Sequence, residues 1–336
     1  MRRLESIIVT GAAGFIGSEL VRLLLREGYR VRAVDDLSKG RRDSLPEEGP
    51  NFAFTLADLR DRGASMRALS SCDWVIHLAS RAYGVAYCDK RHASTFLLNC
   101  QINANVIEAV TENGVPGITA VSSSCVYSDD TPDGMTEDQG FAGEPETANR
   151  GYGWAKRMLE VGLLAAARDG HCEGIVVRPV NVYGPGYGWF GEYSHVIPTL
   201  VKKILDGENP LVIWGDGTQA RSFLHVRDVA RALMELSLYA PNGTVVNLGD
   251  EEATTINEIA RLLQEVFGIR VLVTYDPTRP SGRRVKSVSS RRLKEILPWF
   301  QKTVPMRRGL AEMASWYERH VALGTFAHTG NQHVNK

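Results

Sequence analysis

Thr10-Gly11-Ala12-Ala13-Gly14-Phe15-Ile16-Gly17 decides how the first half of this chain is read. The segment follows the apolar run Ser6–Thr10 and leads into an amphipathic stretch, so its glycines sit in a strand-to-helix turn. Spaced G-x-x-G-x-x-G, one residue longer at the front than the usual dehydrogenase form, they allow a tight turn. They also let backbone N–H groups and a helix N-terminus approach an anion without Cβ interference. Outward from this turn, short apolar runs recur at Arg30–Val34, Asn51–Thr55, Trp74–His77, Ile118–Ser122 and Gly174–Arg178, separated by longer amphipathic stretches. The alternation predicts an α/β fold, a Rossmann-type doubly wound parallel sheet with crossover helices.

Two of the predicted helices, Ala93–Asn113 and Asn149–Ala167, carry apolar residues at three- and four-residue spacing, among them Trp154, Met158, Val161 and Leu164. Their second apolar stripe suits a homodimer interface. Beyond about Asn181 the texture turns to Gly-, Pro- and Trp-rich loops, including Tyr183-Gly184-Pro185-Gly186-Tyr187-Gly188-Trp189, with short strands expected near Leu211–Ile213, Val245–Leu248 and Val271–Thr274. The expected division is a dinucleotide-binding domain over 1–180 and a smaller α/β substrate-binding lobe over 181–322. The two are interwoven, with some later segments returning to the first domain, and a loose tail covers 323–336.

Lys plus Arg and Asp plus Glu both total 39 in 336 residues, so there is no excess charge to hold nucleic acid or an anionic membrane at long range. Ile7-Ile8-Val9 is too brief for a signal-peptide core or a membrane span, and a cytoplasmic location is expected. The five cysteines, Cys72, Cys88, Cys100, Cys125 and Cys172, are odd in number and form no C-x-x-C pair, which argues against zinc or a disulfide framework.

Asp35 closes the second predicted strand about 20 residues after the glycine turn, where a carboxylate accepts hydrogen bonds from adenosine ribose hydroxyls. Asp35 and Asp36 together would repel a 2′-phosphate, so NAD is favoured over NADP, although Lys39, Arg41 and Arg42 weaken the preference. Asp58-Leu59, after the third strand, is placed to border the adenine. Tyr152 and Lys156 stand four residues apart, hence on one helix face. A phenol of pKa about 10 is a poor base at neutral pH, and a nearby cation favours its phenolate. Ser122-Ser123-Ser124, at a strand end, supplies a hydroxyl that can orient a substrate hydroxyl or its oxidised carbonyl.

With these motifs the chain resembles the extended short-chain dehydrogenase/reductase family of nucleotide-sugar epimerases and dehydratases, from about Ile7 to about His320. The agreement includes the glycine fingerprint, Asp58-Leu59, His77-Leu78-Ala79, Asn99, the Ser123 to Tyr127 segment, Tyr152 with Lys156, and Arg178-Pro179-Val180-Asn181-Val182-Tyr183-Gly184-Pro185. The resemblance implies a triad of Ser123, Tyr152 and Lys156. It implies a cofactor site of Gly11, Gly14, Phe15, Ile16, Gly17, Asp35, Asp36, Asp58, Leu59, Leu78, Ala79 and Asn99 together with Tyr152 and Lys156. Tyr83, Gly84, Ser124, Asn181, Arg221 and Arg283 would hold the nucleotide sugar, a guanidinium such as that of Arg221 suiting a pyrophosphate.

In this family a bound NAD oxidises a ring hydroxyl, usually at carbon 4, and the ketone acidifies neighbouring C–H bonds. Dehydratases carry Thr-Asp-Glu where this chain has Ser123-Ser124-Cys125, so the dehydratase and decarboxylase readings lose their acid. Ser123-Ser124-Cys125-Val126-Tyr127 is similar instead to the Ser-Ala-Cys-Ile-Tyr segment of the GDP-mannose 3,5-epimerases, as are Tyr83-Gly84-Val85-Ala86-Tyr87 and Asn99-Cys100-Gln101-Ile102. Opposite the cysteine those enzymes use a lysine, and counting from Trp189 that position falls on His195. The resemblance implies an epimerase working through a transient 4-keto sugar, with Cys125 and His195 as proton-exchanging groups and a GDP sugar as substrate. A 4-epimerase needs only Ser123, Tyr152 and Lys156. A reductase releasing NAD each cycle, a 4,6-dehydratase and a non-catalytic NAD sensor stand further off.

Overall fold

The computed structural model describes residues 1–187, 194–249, 251–279 and 283–322. Its strands are β1 (Ser6–Thr10), β2 (Arg30–Asp35), β3 (Phe52–Leu56), β4 (Trp74–His77), β5 (Gly117–Val121), β6 (Glu173–Pro179), β7 (Asn181–Tyr183), β8 (Leu211–Trp214), β9 (Ala220–Arg221), β10 (Phe223–His225), β11 (Thr244–Leu248), β12 (Thr254–Thr255), β13 (Val273–Asp276) and β14 (Val285–Lys286). The helices are α1 (Phe15–Arg26), α2 (Arg62–Ala68), α3 (Val85–Cys88), α4 (His92–Glu112), α5 (Arg150–Arg168), α6 (Val196–Leu205), α7 (Val226–Tyr239), α8 (Ile256–Phe267), α9 (Arg291–Ile296) and α10 (Met306–Ala322).

Seven strands form one parallel sheet in the order β11-β6-β5-β4-β1-β2-β3. Both faces are covered, which is why strands such as Ile7-Ile8-Val9 read as continuous apolar runs rather than alternating ones. On one face Leu20 and Leu24 of α1 and Leu233 and Leu236 of α7 pack on Ile7, Val9 and Val177. On the other, Val106 and Val110 of α4 and Leu159 and Leu163 of α5 pack on Ile8, Val75 and Ile118. β11, from the second half of the chain, is an edge strand of this sheet, with Val246 in register with Val177.

A separate core joins α6, α8 and α10 through Ile197, Val201, Ile259, Leu263, Leu310 and Met313, beneath the parallel pair β8 and β13. β13 begins at Val273, two residues later than the sequence reading places it. The Val271 amide donates to the Gln264 side chain at the end of α8, so the ladder with Leu211 opens only at Val273. Because the main sheet is parallel, Thr10, Asp35, Leu56, His77 and Val121 end on one edge. The strand order reverses at β1, and the crevice outside that point is where ligands of open α/β sheets bind.

Candidate active site

The turn after β1 is built around close backbone approach. Gly11 has φ +66°, and a Cβ there would stand 2.7 Å from the Ala79 nitrogen; at Gly17 a Cβ would stand 2.2 Å from the Gly11 carbonyl oxygen. α1 begins without a side-chain cap and without an acidic residue in its first turn, so its positive end stays open to an anion. Asp35 accepts hydrogen bonds from the Ala13 amide (3.0 Å) and the Leu37 amide (2.8 Å), which fixes its carboxylate beside the turn. Burial raises its pKa, against the lowering effect of those amides. Asp36 pairs with Arg81 at 3.2 Å, and the Lys39 ammonium binds the Ala82 carbonyl and lies 4.8 Å from the Tyr83 ring centre. The loops after β2 and β4 therefore meet across the glycine turn. Arg41 pairs with Asp43 and Arg42 stacks over Phe54, so these cations have partners other than a 2′-phosphate. The open cradle and the ribose-type carboxylate fit a dinucleotide without that phosphate.

Thr10 organises the floor. Its hydroxyl accepts the Leu78 and Ala79 amides, both at 3.2 Å, and therefore donates its proton to His77 Nδ1 at 2.7 Å. His77 Nε2 is then the protonated nitrogen, donating to Asn103 Oδ1 at 3.2 Å, while Asn103 Nδ2 donates to the Ala155 carbonyl. Complete burial, with Lys156 adding to it, pushes His77 down to about 3, so the ring is neutral. This chain of hydrogen bonds ties the glycine turn to α5.

On α5, the Tyr152 phenol faces the Ser123 and Ser80 hydroxyls, and Lys156 Nζ lies 5.6 Å from the Tyr152 ring centre. Lys156 donates to the Val121 carbonyl at 2.8 Å, and burial, opposed by Glu160, brings it down to about 8. Burial raises the Tyr152 pKa, with Cys125 adding to it and the two serines opposing. Ser123, Tyr152 and Lys156 are thus brought together. Gly153 makes the juxtaposition possible, since a Cβ there would lie 2.5 Å from the Cys125 carbonyl oxygen. Arg157, one residue beyond Lys156, holds the Val126 carbonyl through Nε (2.9 Å) and Nη2 (2.6 Å) and so anchors the same segment.

The Cys125 sulfur lies 3.8 Å from Lys286 Nζ, which pairs with Glu146 at 3.0 Å. Glu146 also accepts from Asn149 Nδ2 at 2.9 Å. Burial pushes the thiol up to about 12, with Lys286 opposing and Glu146 adding. Burial would raise Glu146, but Lys286 and Asn149 outweigh it and hold the carboxyl near 2. Arg221 and Arg283 lie at the same end. Arg221 donates to the Arg283 carbonyl at 2.6 Å, and Arg283 donates to the Ser128 carbonyl at 3.2 Å and pairs with Asp133 at 3.5 Å. Asn181 Nδ2 donates to the Ser222 carbonyl at 3.1 Å. His195 precedes α6, accessible to solvent yet crowded by protein; that crowding, with Lys39 and Lys286 adding, pushes it down to about 4 against Glu146.

The remaining expected site residues have these protein partners. The fully buried Asn99 side chain accepts from the Ser80 hydroxyl and the Arg81 amide and donates to the Thr95 and Arg81 carbonyls, so it shapes the loop after β4. Leu59 is part of the core under α2 and α4, and Asp58 is clasped by Arg60. Phe15 meets the Tyr187 ring edge-on at 4.7 Å, Ile16 leans on the core, and Tyr83 packs against Tyr87 with ring centres 4.3 Å apart. Gly84 is buried and its carbonyl accepts the Tyr87 and Cys88 amides, while Ser124 is buried in the turn before Cys125. Trp189 and the second half of the Gly184–Gly191 loop lie outside the described residues. Sequence reasoning missed Ser80, Glu146 and Lys286, none of which belongs to a short-range motif.

A family model described as "NAD dependent epimerase/dehydratase family" matches residues 7–249. The chain is 32% identical to a dTDP-4-dehydro-6-deoxy-D-allose reductase from a Streptomyces species, covering 94% of this chain and 97% of that protein. It is 28% identical to GDP-mannose 3,5-epimerase 1 of Oryza sativa subsp. indica, covering 94% and 82%. Among solved structures, a UDP-glucose 4-epimerase from Thermotoga maritima with UDP-glucose superposes with a TM-score of 0.84 at 30% identity, over 94% of this chain and 99% of that one. The open glycine cradle, the carboxylate at the end of β2 and the extent of these matches lead to one conclusion: the chain belongs to the NAD-dependent epimerase/dehydratase family, enzymes of nucleotide-sugar chemistry whose cofactor is NAD.

Proposed function

We propose that this protein is a nucleotide-sugar epimerase that works through a transient 4-keto sugar and inverts carbon 5 or carbon 3, with a GDP sugar as substrate. The observation that carries the reading is the clustering of Ser123, Tyr152 and Lys156 with the thiol of Cys125 beside the glycine turn. A dinucleotide held by the Gly11–Gly17 turn and Asp35 would supply the hydride acceptor and donor for the ring carbon. Ser123 and Ser80 orient the phenol and the sugar hydroxyl, and Tyr152 takes the hydroxyl proton. The Lys156 ammonium favours the phenolate. Cys125 exchanges a proton at the carbon acidified by the ketone. Neutral His195 stands as the second exchanging group. Arg221, Arg283 and Asn181 hold the diphosphate end, where positive charge gathers.

The 28% identity to a GDP-mannose 3,5-epimerase supports the carbon-acid step. A second reading, reduction of a 4-keto nucleotide sugar, is favoured by the 32% identity to a dTDP-4-dehydro sugar reductase. It uses the same triad but consumes reduced cofactor. The third, a 4-epimerase, needs no carbon acid, and the 30% identity to a solved UDP-glucose 4-epimerase supports it. Incubation with GDP, UDP and dTDP sugars in D2O, followed by proton NMR and absorbance at 340 nm, separates them. Deuterium at carbon 3 or 5 with no net absorbance change is the expected result. Inversion at carbon 4 without label, or stoichiometric loss of reduced cofactor from a 4-keto substrate, would overturn it.

A homodimer in the cytoplasm is part of the same proposal. The exposed apolar residues of α4 and α5 support the dimer, and among the described residues no helix is long and apolar enough to cross a membrane.

A further inference from the structure

We propose that Cys125, Glu146 and Lys286 form one proton-exchanging unit at the sugar end of the cleft, Lys286 neutralising the thiolate formed when Cys125 gives up its proton and Glu146 holding Lys286 in place while opposing the thiolate. The inference rests on the carbon-acid reading above and gives it two residues that the sequence motifs do not contain.

The three side chains come from separate parts of the chain: the turn after β5, the segment leading into α5, and β14. Lys286 Nζ is 3.8 Å from the sulfur and 3.0 Å from the Glu146 carboxylate and so bridges the two, while the Glu146 amide donates to the Cys125 carbonyl at 3.3 Å. The Lys286 and Glu146 side chains are only 8% and 13% exposed, so bulk water screens the triangle weakly. A pair serving only to tie β14 to α5 would gain nothing from a thiol as its third member. Other groups face the unit as well: the Ser123 hydroxyl from the same turn, Tyr152 and Lys156 from α5, Arg221 from β9, and His195 ahead of α6.

The proton balance closes without further reagents. At the keto sugar, the C–H bond next to the carbonyl breaks toward neutral His195 on one face, and the electron pair spreads into the enolate. On the other face the Cys125 S–H bond breaks, its proton forms the new C–H bond at the enolate carbon, and the thiolate is left beside the Lys286 ammonium. In the reverse sense the thiolate takes the C–H proton and the His195 imidazolium returns its own to the opposite face. Glu146 and Lys286 pull the thiol in opposite directions, the carboxylate disfavouring the thiolate and the ammonium favouring it.

The test is the rate of Cys125 alkylation by iodoacetamide at pH 8 in the full chain, read by peptide mass spectrometry with the other cysteines as internal references. The rate follows the thiolate fraction. Lys286→Met should slow it and Glu146→Gln should speed it, each by about ten-fold or more, the change produced by one charge at this range. Lys286→Arg should restore the rate. Both variants moving the rate in the same direction, or Glu146→Gln leaving it unchanged, overturns the proposal, and thermal melts establish that each variant is folded. Deuterium wash-in at the sugar carbon is measured in parallel, and Lys286→Met should lower it at least ten-fold. Opposite alkylation shifts without wash-in in the unmodified protein would sink the carbon-acid reading alone. Wash-in without those shifts would sink the unit alone.

Discussion

At the scale of single residues, the cleft sets two buried groups against their ordinary behaviour. Tyr152 is held protonated by burial, so its proton leaves only where nearby cations favour the phenolate. Tyr152→Phe removes the proton acceptor and keeps the ring; turnover should fall by about 10²–10⁴-fold, the usual worth of a positioned acid–base group. Bound dinucleotide, measured by absorbance after acid release, should be unchanged. Turnover that survived the change would remove the phenol from the chemistry. His77 gives a pH signature instead. Its folded value near 3 lies below an unfolded value of about 6.5, so the unfolded chain takes up the proton first. The stability that the neutral ring contributes is complete above pH 6.5 and is lost as pH falls toward 3, by at most ~1.4 kcal/mol per pH unit. His77→Asn cannot titrate there. Urea midpoints measured from pH 7.5 to 4.5 should fall less steeply for that variant than for the parent, and parallel curves would contradict the assignment.

At the scale of elements, the central strands β1, β4 and β5 were readable because burial on both faces leaves them as apolar runs, and the ends of the main-sheet strands fall within a residue or so of the sequence expectation. The two-residue strands β9, β12 and β14 were not readable, since so short a segment has no periodicity. Helix packing hides a further requirement in small residues. α4 and α5 lie so close that a Cβ on Gly151 would stand 2.1 Å from the His92 carbonyl oxygen, a backbone atom that cannot yield locally. On the same helix, a Cβ on Gly162 would meet only the Ile107 Cδ1 at 3.1 Å, the tip of a side chain that can rotate. Gly151→Ala should therefore destabilise by about 1–3 kcal/mol as the helices are forced apart. Gly162→Ala should be neutral or stabilising by up to ~1 kcal/mol, through helix propensity. Thermal unfolding of the pair checks this, and equal effects would show that the close approach at His92 is unimportant.

At the scale of the whole molecule, what the sequence conceals is what folding brings together from afar. The triad was legible because Tyr152 and Lys156 share a helix turn and Ser123 closes a strand. The Cys125–Lys286 and Lys286–Glu146 contacts span 161 and 140 residues and leave no local pattern. The reverse holds for the outer faces of α4 and α5, where the pattern is local and nothing in one chain completes it. Leu97, Met158 and Val161 are 64%, 51% and 50% exposed, and His92, Ala93, Phe96, Trp154 and Met158 line a hollow of about 330 Å³ beside them. Leaving such side chains in water forfeits about 25 cal/mol per Å² of apolar surface that a second copy would bury. A twofold axis lets the same patch cover itself, Met158 and Val161 meeting their own counterparts. Sedimentation equilibrium should give a dimer for the parent chain, and Val161→Glu, which puts a charge in that face, should give a folded monomer. Because Tyr152 and Lys156 sit on the opposite side of α5, the monomer should keep its dinucleotide. A parent chain that sediments as a monomer at micromolar concentration would remove the dimer and leave the chemistry of the cleft as it stands.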